Sequence, residues 1–150
     1  MLNDIRRKLA IASSLIVLSG LAFAQVSETY TARLSWVPIS GAQRSQVSGQ
    51  GAATATISGS QLSISGSFGD LPGAATLVSL RQGVATGARG PAVAELQVTQ
   101  ASDGTFFGEV ELDDEQLAAL LAGHLYIQLH AQGGVPPDNA VLRGWLLQIQ

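Results

Sequence analysis

Thr29-Tyr-Thr-Ala-Arg-Leu-Ser-Trp36 is the stretch on which the fold turns. Tyr30, Ala32, Leu34 and Trp36 fall on one side of an extended chain, and Thr31, Arg33 and Ser35 on the other. A period of two marks a strand with one buried face, whereas a helix repeats every three to four residues. Pro38 ends the run, because it has no N–H to give to a sheet ladder. Downstream, Ala53, Ala55 and Ile57 alternate, as do Leu62 and Ile64, with Phe68 in the same phase. Gly59-Ser60 between them suits a two-residue hairpin turn at positive φ.

The same reading predicts strands over Ala75–Arg81, Ala92–Thr99, Thr105–Leu112, Leu125–His130 and Val141–Ile149. Asp70-Leu71-Pro72-Gly73 and Ser102-Asp103-Gly104 are turn signals. Ser40–Gly51 reads as a loop or irregular edge, and Gly133–Asn139, with two consecutive prolines, as a loop. One segment departs from the pattern. Asp113-Asp114-Glu115-Gln116 leads into Leu117, Leu120 and Leu121, with Gly123 following. Asp113 or Asp114 as cap and Gly123 as terminator predict a short helix near 114–122, its leucines packed on the end of the sheet. A cation-binding acidic patch is the other reading of those residues; capping is the plainer one. Eight short strands and one helix predict an antiparallel sandwich or barrel. Trp36, Phe68, Phe106, Tyr126 and Trp145 are its expected large anchors.

At 150 residues the chain has room for one domain, and 46% hydrophobic against 13% charged residues argues against disorder. The absence of Cys excludes disulfides, thiolate metal sites, Cys nucleophiles and lipid attachment at Cys. Arg6, Arg7 and Lys8 precede an apolar run, Leu9–Ala24, that ends Ala22-Phe23-Ala24. This is the pattern of a secretory signal peptide over residues 1–24, cleaved after Ala24, with 25–150 as the domain. The run is shorter than the roughly 20 apolar residues a membrane span needs. The expectation is a secreted or periplasmic protein, free of the membrane after cleavage. Cleavage leaves five arginines against ten carboxylates and no Lys, a net charge near −5. Such a chain has no basic stripe for nucleic acid and no Lys for Schiff-base chemistry.

Reactive groups are sparse. His124 and His130, the only histidines, share one face of a predicted strand but lie about 20 Å apart at roughly 3.3 Å per residue. They cannot ligate one ion, and each reads as a hydrogen-bonded imidazole on the sheet face. Gly66-Ser67-Phe68-Gly69 is only loosely like a nucleophile elbow, and it lacks the strand–turn–helix setting. Gly49-Gln50-Gly51 lacks the third glycine and helix of a phosphate cradle. Asp138-Asn139 offers two oxygens, far short of a calcium shell. Arg143 is the odd residue: it sits in the apolar run Val141–Ile149, where a charge needs a partner, and Glu109 or Glu95 on neighbouring strands is the expected one. An anion-binding role is the alternative to that structural ion pair. No catalytic, cofactor or metal site is predicted.

With these elements in order, the chain resembles the CHRD domain, the module named from chordin. The resemblance spans about Tyr30 to Leu146. It rests on Tyr30-Thr-Ala-Arg-Leu34, Val37-Pro38, Gly51-Ala52-Ala53, Leu62-Ser-Ile-Ser-Gly66 with Leu71, Ala74-Ala75, Gly87-Ala-Arg-Gly-Pro91 with Ala92–Leu96, and Leu120 with Gly123. Its clearest part is Leu125-Tyr-Ile-Gln-Leu-His130 followed by Leu142-Arg143-Gly144. The resemblance implies an immunoglobulin-like or superoxide-dismutase-like antiparallel Greek-key sandwich with no established catalysis, and makes His130, Arg143 and Gly144 the family-motif positions. Many relatives carry a His-x-His pair where this chain has Thr76 and Val78, and an acidic residue where it has Val141. The expected function is an exported, non-enzymatic module without cofactor, binding an extracellular protein or glycan through its loops, with Arg44, Arg81 and Arg89 in or beside them. A metal-dependent dismutase-like enzyme, for which two histidines are too few, a self-assembling surface or matrix protein and a serine hydrolase are the rivals.

Overall fold

In the computed structural model, residues 26–150 are described; the expected leader over 1–24 lies outside them. The strands are β1 (Glu28–Trp36), β2 (Gln50–Ser58), β3 (Gln61–Gly69), β4 (Ala75–Gln82), β5 (Ala92–Val98), β6 (Gly104–Glu111), β7 (Leu125–Val135), β8 (Ala140–Trp145) and the two-residue β9 (Leu147–Gln148). The helix α1 (Asp114–Leu121) lies between β6 and β7. All pairings are antiparallel. The order is β2-β3-β6-β5-β4-β7-β8-β1, and β1 also pairs with β2, so eight strands form a ring.

The expected two-layer sandwich is therefore a closed barrel. Local periodicity reports which face of a strand is buried, and that alternation is the same in either architecture. Closure depends on two thin seams. Between β5 and β6 only Gln97↔Phe107 and Val98↔Phe106 pair. Between β8 and β1 only Ser35↔Arg143 and Trp36↔Leu142 pair. β9 completes the edge of β1 through Tyr30↔Gln148 and Thr31↔Leu147.

Inward residues fill the ring as the alternation predicts: Tyr30, Ala32 and Leu34, then Ala55, Leu62 and Ile64, then Phe106, Ile127 and Leu142 belong to one core. Gly66 makes room for Phe106, since a Cβ there would meet the ring at 2.2 Å. This spacing need accounts for the glycine in Gly66-Ser67-Phe68-Gly69, where Ser67 is an outward residue in the middle of β3. The two-residue turn at Gly59-Ser60 is present, with Gly59 at φ +63.

α1 forms as its ends dictate. Asp113 is the cap: its carboxylate accepts from the Gln116 backbone N–H, and the Gln116 side chain accepts in return from the Asp113 N–H. Gly123 stops the helix in the left-handed region, with Gly123 N–H to Leu120 O and His124 N–H to Ala119 O. Leu120 is buried and Leu117 partly so, but Leu121, expected in the packing, is 69% exposed.

Other expectations shift. Part of Ser40–Gly51 is a 3-10 helix, Gly41–Gln46. β7 runs on to Val135, into the expected loop. The last expected strand divides at Leu146, where the chain leaves β7 for β1. Trp36 is not a core anchor: it is 44% exposed, because Val37 takes the inward position as β1 turns toward β8. Among the described residues no helix is long and apolar enough to cross a membrane.

Candidate functional site

β7 is buried on both faces, which is unusual for an antiparallel strand. Leu125, Ile127 and Leu129 face the core, while Tyr126, Gln128 and His130 lie on the outer face. Register sets Gln128 beside Ser79 of β4 and Arg143 of β8, and Tyr126 beside Arg81 and Trp145. These residues are buried outside the barrel because two connections fold over them: Gly83–Pro91 between β4 and β5, and Pro136–Asn139 between β7 and β8.

A directed hydrogen-bond chain ties this layer together. Arg143 Nε and Nη2 both donate to Gln128 Oε1, at 3.0 and 2.9 Å. The guanidinium has only donors, so the Gln128 oxygen must face it and the amide nitrogen faces His130 Nε2 at 3.2 Å. His130 Nδ1 lies 2.8 Å from the Asp138 carbonyl oxygen and must donate to it. His130 therefore carries its proton on Nδ1 and accepts at Nε2. The chain runs Arg143 to Gln128 to His130 to the backbone of the β7–β8 turn.

Tyr126 does for the other loop what His130 does for this one. Its hydroxyl accepts from the Gly90 N–H at 2.9 Å and donates to the Gly90 carbonyl at 3.0 Å. Arg81 Nε donates to the same carbonyl at 3.0 Å. Gly90 is obligatory, since a Cβ would fall 1.6 Å from Gln82 O. The Tyr126 ring packs on Trp145 at 5.0 Å, and the Arg143 guanidinium lies over it at 5.7 Å. Burial pushes the Arg143 guanidinium below its ordinary value; Arg89 and Arg81 push the same way, while Tyr126 and Asp138 oppose. Two buried polar atoms beside the chain, Ser79 Oγ and Trp145 Nε1, have no protein partner.

Arg143 is thus held by a neutral amide, not by Glu109 or Glu95. Glu95 is on β5, three strands from β8, or about 14 Å at some 4.8 Å per strand. Glu109 is on β6 among Gln61 and Ser63. His124 lies just before β7 and does not meet His130. Among the described residues no group of three or more His, Asp or Glu is placed to hold a metal. Val78 and Val141 are core residues. Gly144 serves closure: a Cβ would lie 2.4 Å from Arg33 O across the β1–β8 seam.

Gln128, Tyr126 and Gly90 hold this layer together, and none of them is among the site residues expected from the sequence. The available signal was Tyr-Ile-Gln-Leu-His itself, which alternates apolar residues with polar ones too bulky to be incidental on a strand followed by an apolar partner.

Two hollows meet at Arg143. One, of about 330 Å³, lies between the loops against Val37, Pro136 and Pro137, with Arg89, Asp138 and Arg143 in its wall. The other, of about 630 Å³, follows the outer faces of β1 and β8 and is lined by Arg33, Trp36, Arg143 and Trp145 among others. Trp36 is fixed there by its indole N–H to Gly49 O and by Arg44 stacked 4.1 Å away.

The geometry defines a class first: a closed antiparallel barrel that pins two loops over a polar outer layer. Within it, the family model described as CHRD domain matches residues 36–136, and the chain belongs to the CHRD family. His130 lies inside the matched stretch, whereas Arg143 and Gly144 lie beyond its end. No curated protein and no solved structure matches the chain.

Proposed function

We propose that this CHRD domain is an exported, non-catalytic binding module that meets its partner outside the cytoplasm. One observation carries the reading: both nitrogens of His130 and two of the three nitrogens of Arg143 are spent on a hydrogen-bond chain through Gln128 that ends on the β7–β8 turn, beside two open hollows. A base or ligand needs a free lone pair, and His130 offers none. The leader pattern at residues 1–24 supports export, and membership of the family suits an extracellular module. Each of the eight barrel strands has a neighbour on both sides, although only two residue pairs join β5 to β6, and this closure favours binding over assembly by edge pairing.

Cell fractionation with N-terminal sequencing tests the location: the protein is expected outside the cytoplasm, beginning at Gln25. A cytoplasmic protein with its leader intact overturns export. Elemental analysis of the same preparation tests the chemistry, since stoichiometric copper or zinc overturns the non-catalytic reading in favour of the dismutase-like one.

A further inference from the structure

The charge of this chain is distributed unevenly. Beyond the leader it has ten carboxylates, five arginines and no lysine, so an anion is repelled on average. Yet all five arginines sit on or against one surface. Arg33, Arg89 and Arg143 line the two hollows, Arg44 stacks on Trp36, and Arg81 bonds Tyr126 beside Arg143. Asp138 is the single carboxylate in either lining.

Several of these cations are uncommitted. Arg33 and Arg89 are exposed and have no hydrogen-bond or ionic partner among the described residues. Arg143 is only 8% exposed and leaves Nη1 without a partner, although it lines both hollows. A buried cation with a spare donor facing a hollow is an anion subsite in waiting, because the desolvation cost is already met by the fold.

The remaining wall says what carries the anion. Both tryptophans of the chain line the larger hollow, and Thr31, Ser35 and Thr86 add hydroxyls. Flat indoles suit the C–H faces of sugar rings, hydroxyls suit their O–H groups, and guanidinium forks suit planar carboxylates. The larger hollow, about 630 Å³, lies within the usual range for small-ligand sites. An acidic peptide would satisfy the arginines, but extended peptides dock by adding to a free strand edge, and the pairing of β1 and β8 leaves none here.

We propose that this surface binds a carboxylate-bearing oligosaccharide, with sugar rings against Trp36 and Trp145 and carboxylates on Arg33, Arg143 and Arg89. This rests on the binding-module reading and names its ligand class.

Titration of the purified protein with trigalacturonate, followed by tryptophan emission and calorimetry, tests it. Emission reports directly, since both indoles line the hollow. Saturable binding that weakens with salt is expected, with Kd raised about tenfold by Arg33→Ala and by Arg89→Ala. Both side chains are exposed and unpartnered, so an unchanged circular dichroism spectrum is expected to show that each variant still folds. Equal affinity for neutral trigalactose overturns the carboxylate assignment and leaves the binding-module reading standing. Saturation by a glutamate peptide alone overturns the sugar assignment. Silence toward all three probes, or unaltered affinity in both variants, overturns the inference.

Discussion

Arg143 keeps a full charge on a side chain with 8% of its surface exposed, and its fork closes on one neutral oxygen. That arrangement makes Gln128 as consequential as the arginine. Arg143→Ala strands the amide oxygen, whereas Gln128→Ala strands a buried charge; each is expected to cost about 2 kcal/mol. Because both remove one interaction, the double variant is expected to lose less than the sum. Urea unfolding of the three variants checks this, and unchanged midpoints contradict the structural role of the chain. Tyr30 gives a second residue-scale test. Burial, then the hydrogen bond and charge of Glu28, raise its hydroxyl above the ordinary 10.0. The unfolded tyrosine ionises first, so stability holds below about pH 10 and falls as pH climbs toward the folded value. Tyr30→Phe is expected to flatten that alkaline fall in urea midpoints, and an identical fall in both proteins contradicts it. At this scale the sequence was informative about oddity and silent about partners. Arg143 stood out as a charge in an apolar run, but Gln128 sits 15 residues away, and only strand register makes them neighbours.

β8 shows how a short motif serves three masters. Leu142 enters the core, Arg143 joins the outer chain, and Gly144 lets β1 approach closely enough to close the ring. Gly144→Ala sets a Cβ 2.4 Å from Arg33 O and is expected to cost about 1–3 kcal/mol by forcing the seam apart. A melting curve superimposable on that of the parent protein contradicts this reason for the glycine. Elements with strong local signals were legible: the β2–β3 hairpin from Gly59-Ser60, and α1 from its cap and its glycine stop. Trp36 departs from the alternation of Tyr30, Ala32 and Leu34 because β1 changes partners from β2 to β8 just after Leu34.

For the molecule as a whole, alternation identified an antiparallel all-β chain and most of its core. It could not tell a sandwich from a barrel, because that difference lies in a few backbone pairs at two seams, which leave no trace in hydrophobic period. The double burial of β7 was likewise hidden, since it depends on loops folding back from distant sequence. The central claim is that closure and loop pinning make one rigid body. Native-state hydrogen exchange tests it at two amides outside regular strands: Val37, bonded to Val141 O across the seam, and Gly90, bonded to the Tyr126 hydroxyl. Both are predicted to exchange with the slow amides of the β4–β7 ladder. Exchange of either as fast as the exposed loop residues Val84–Gly87 would contradict the claim.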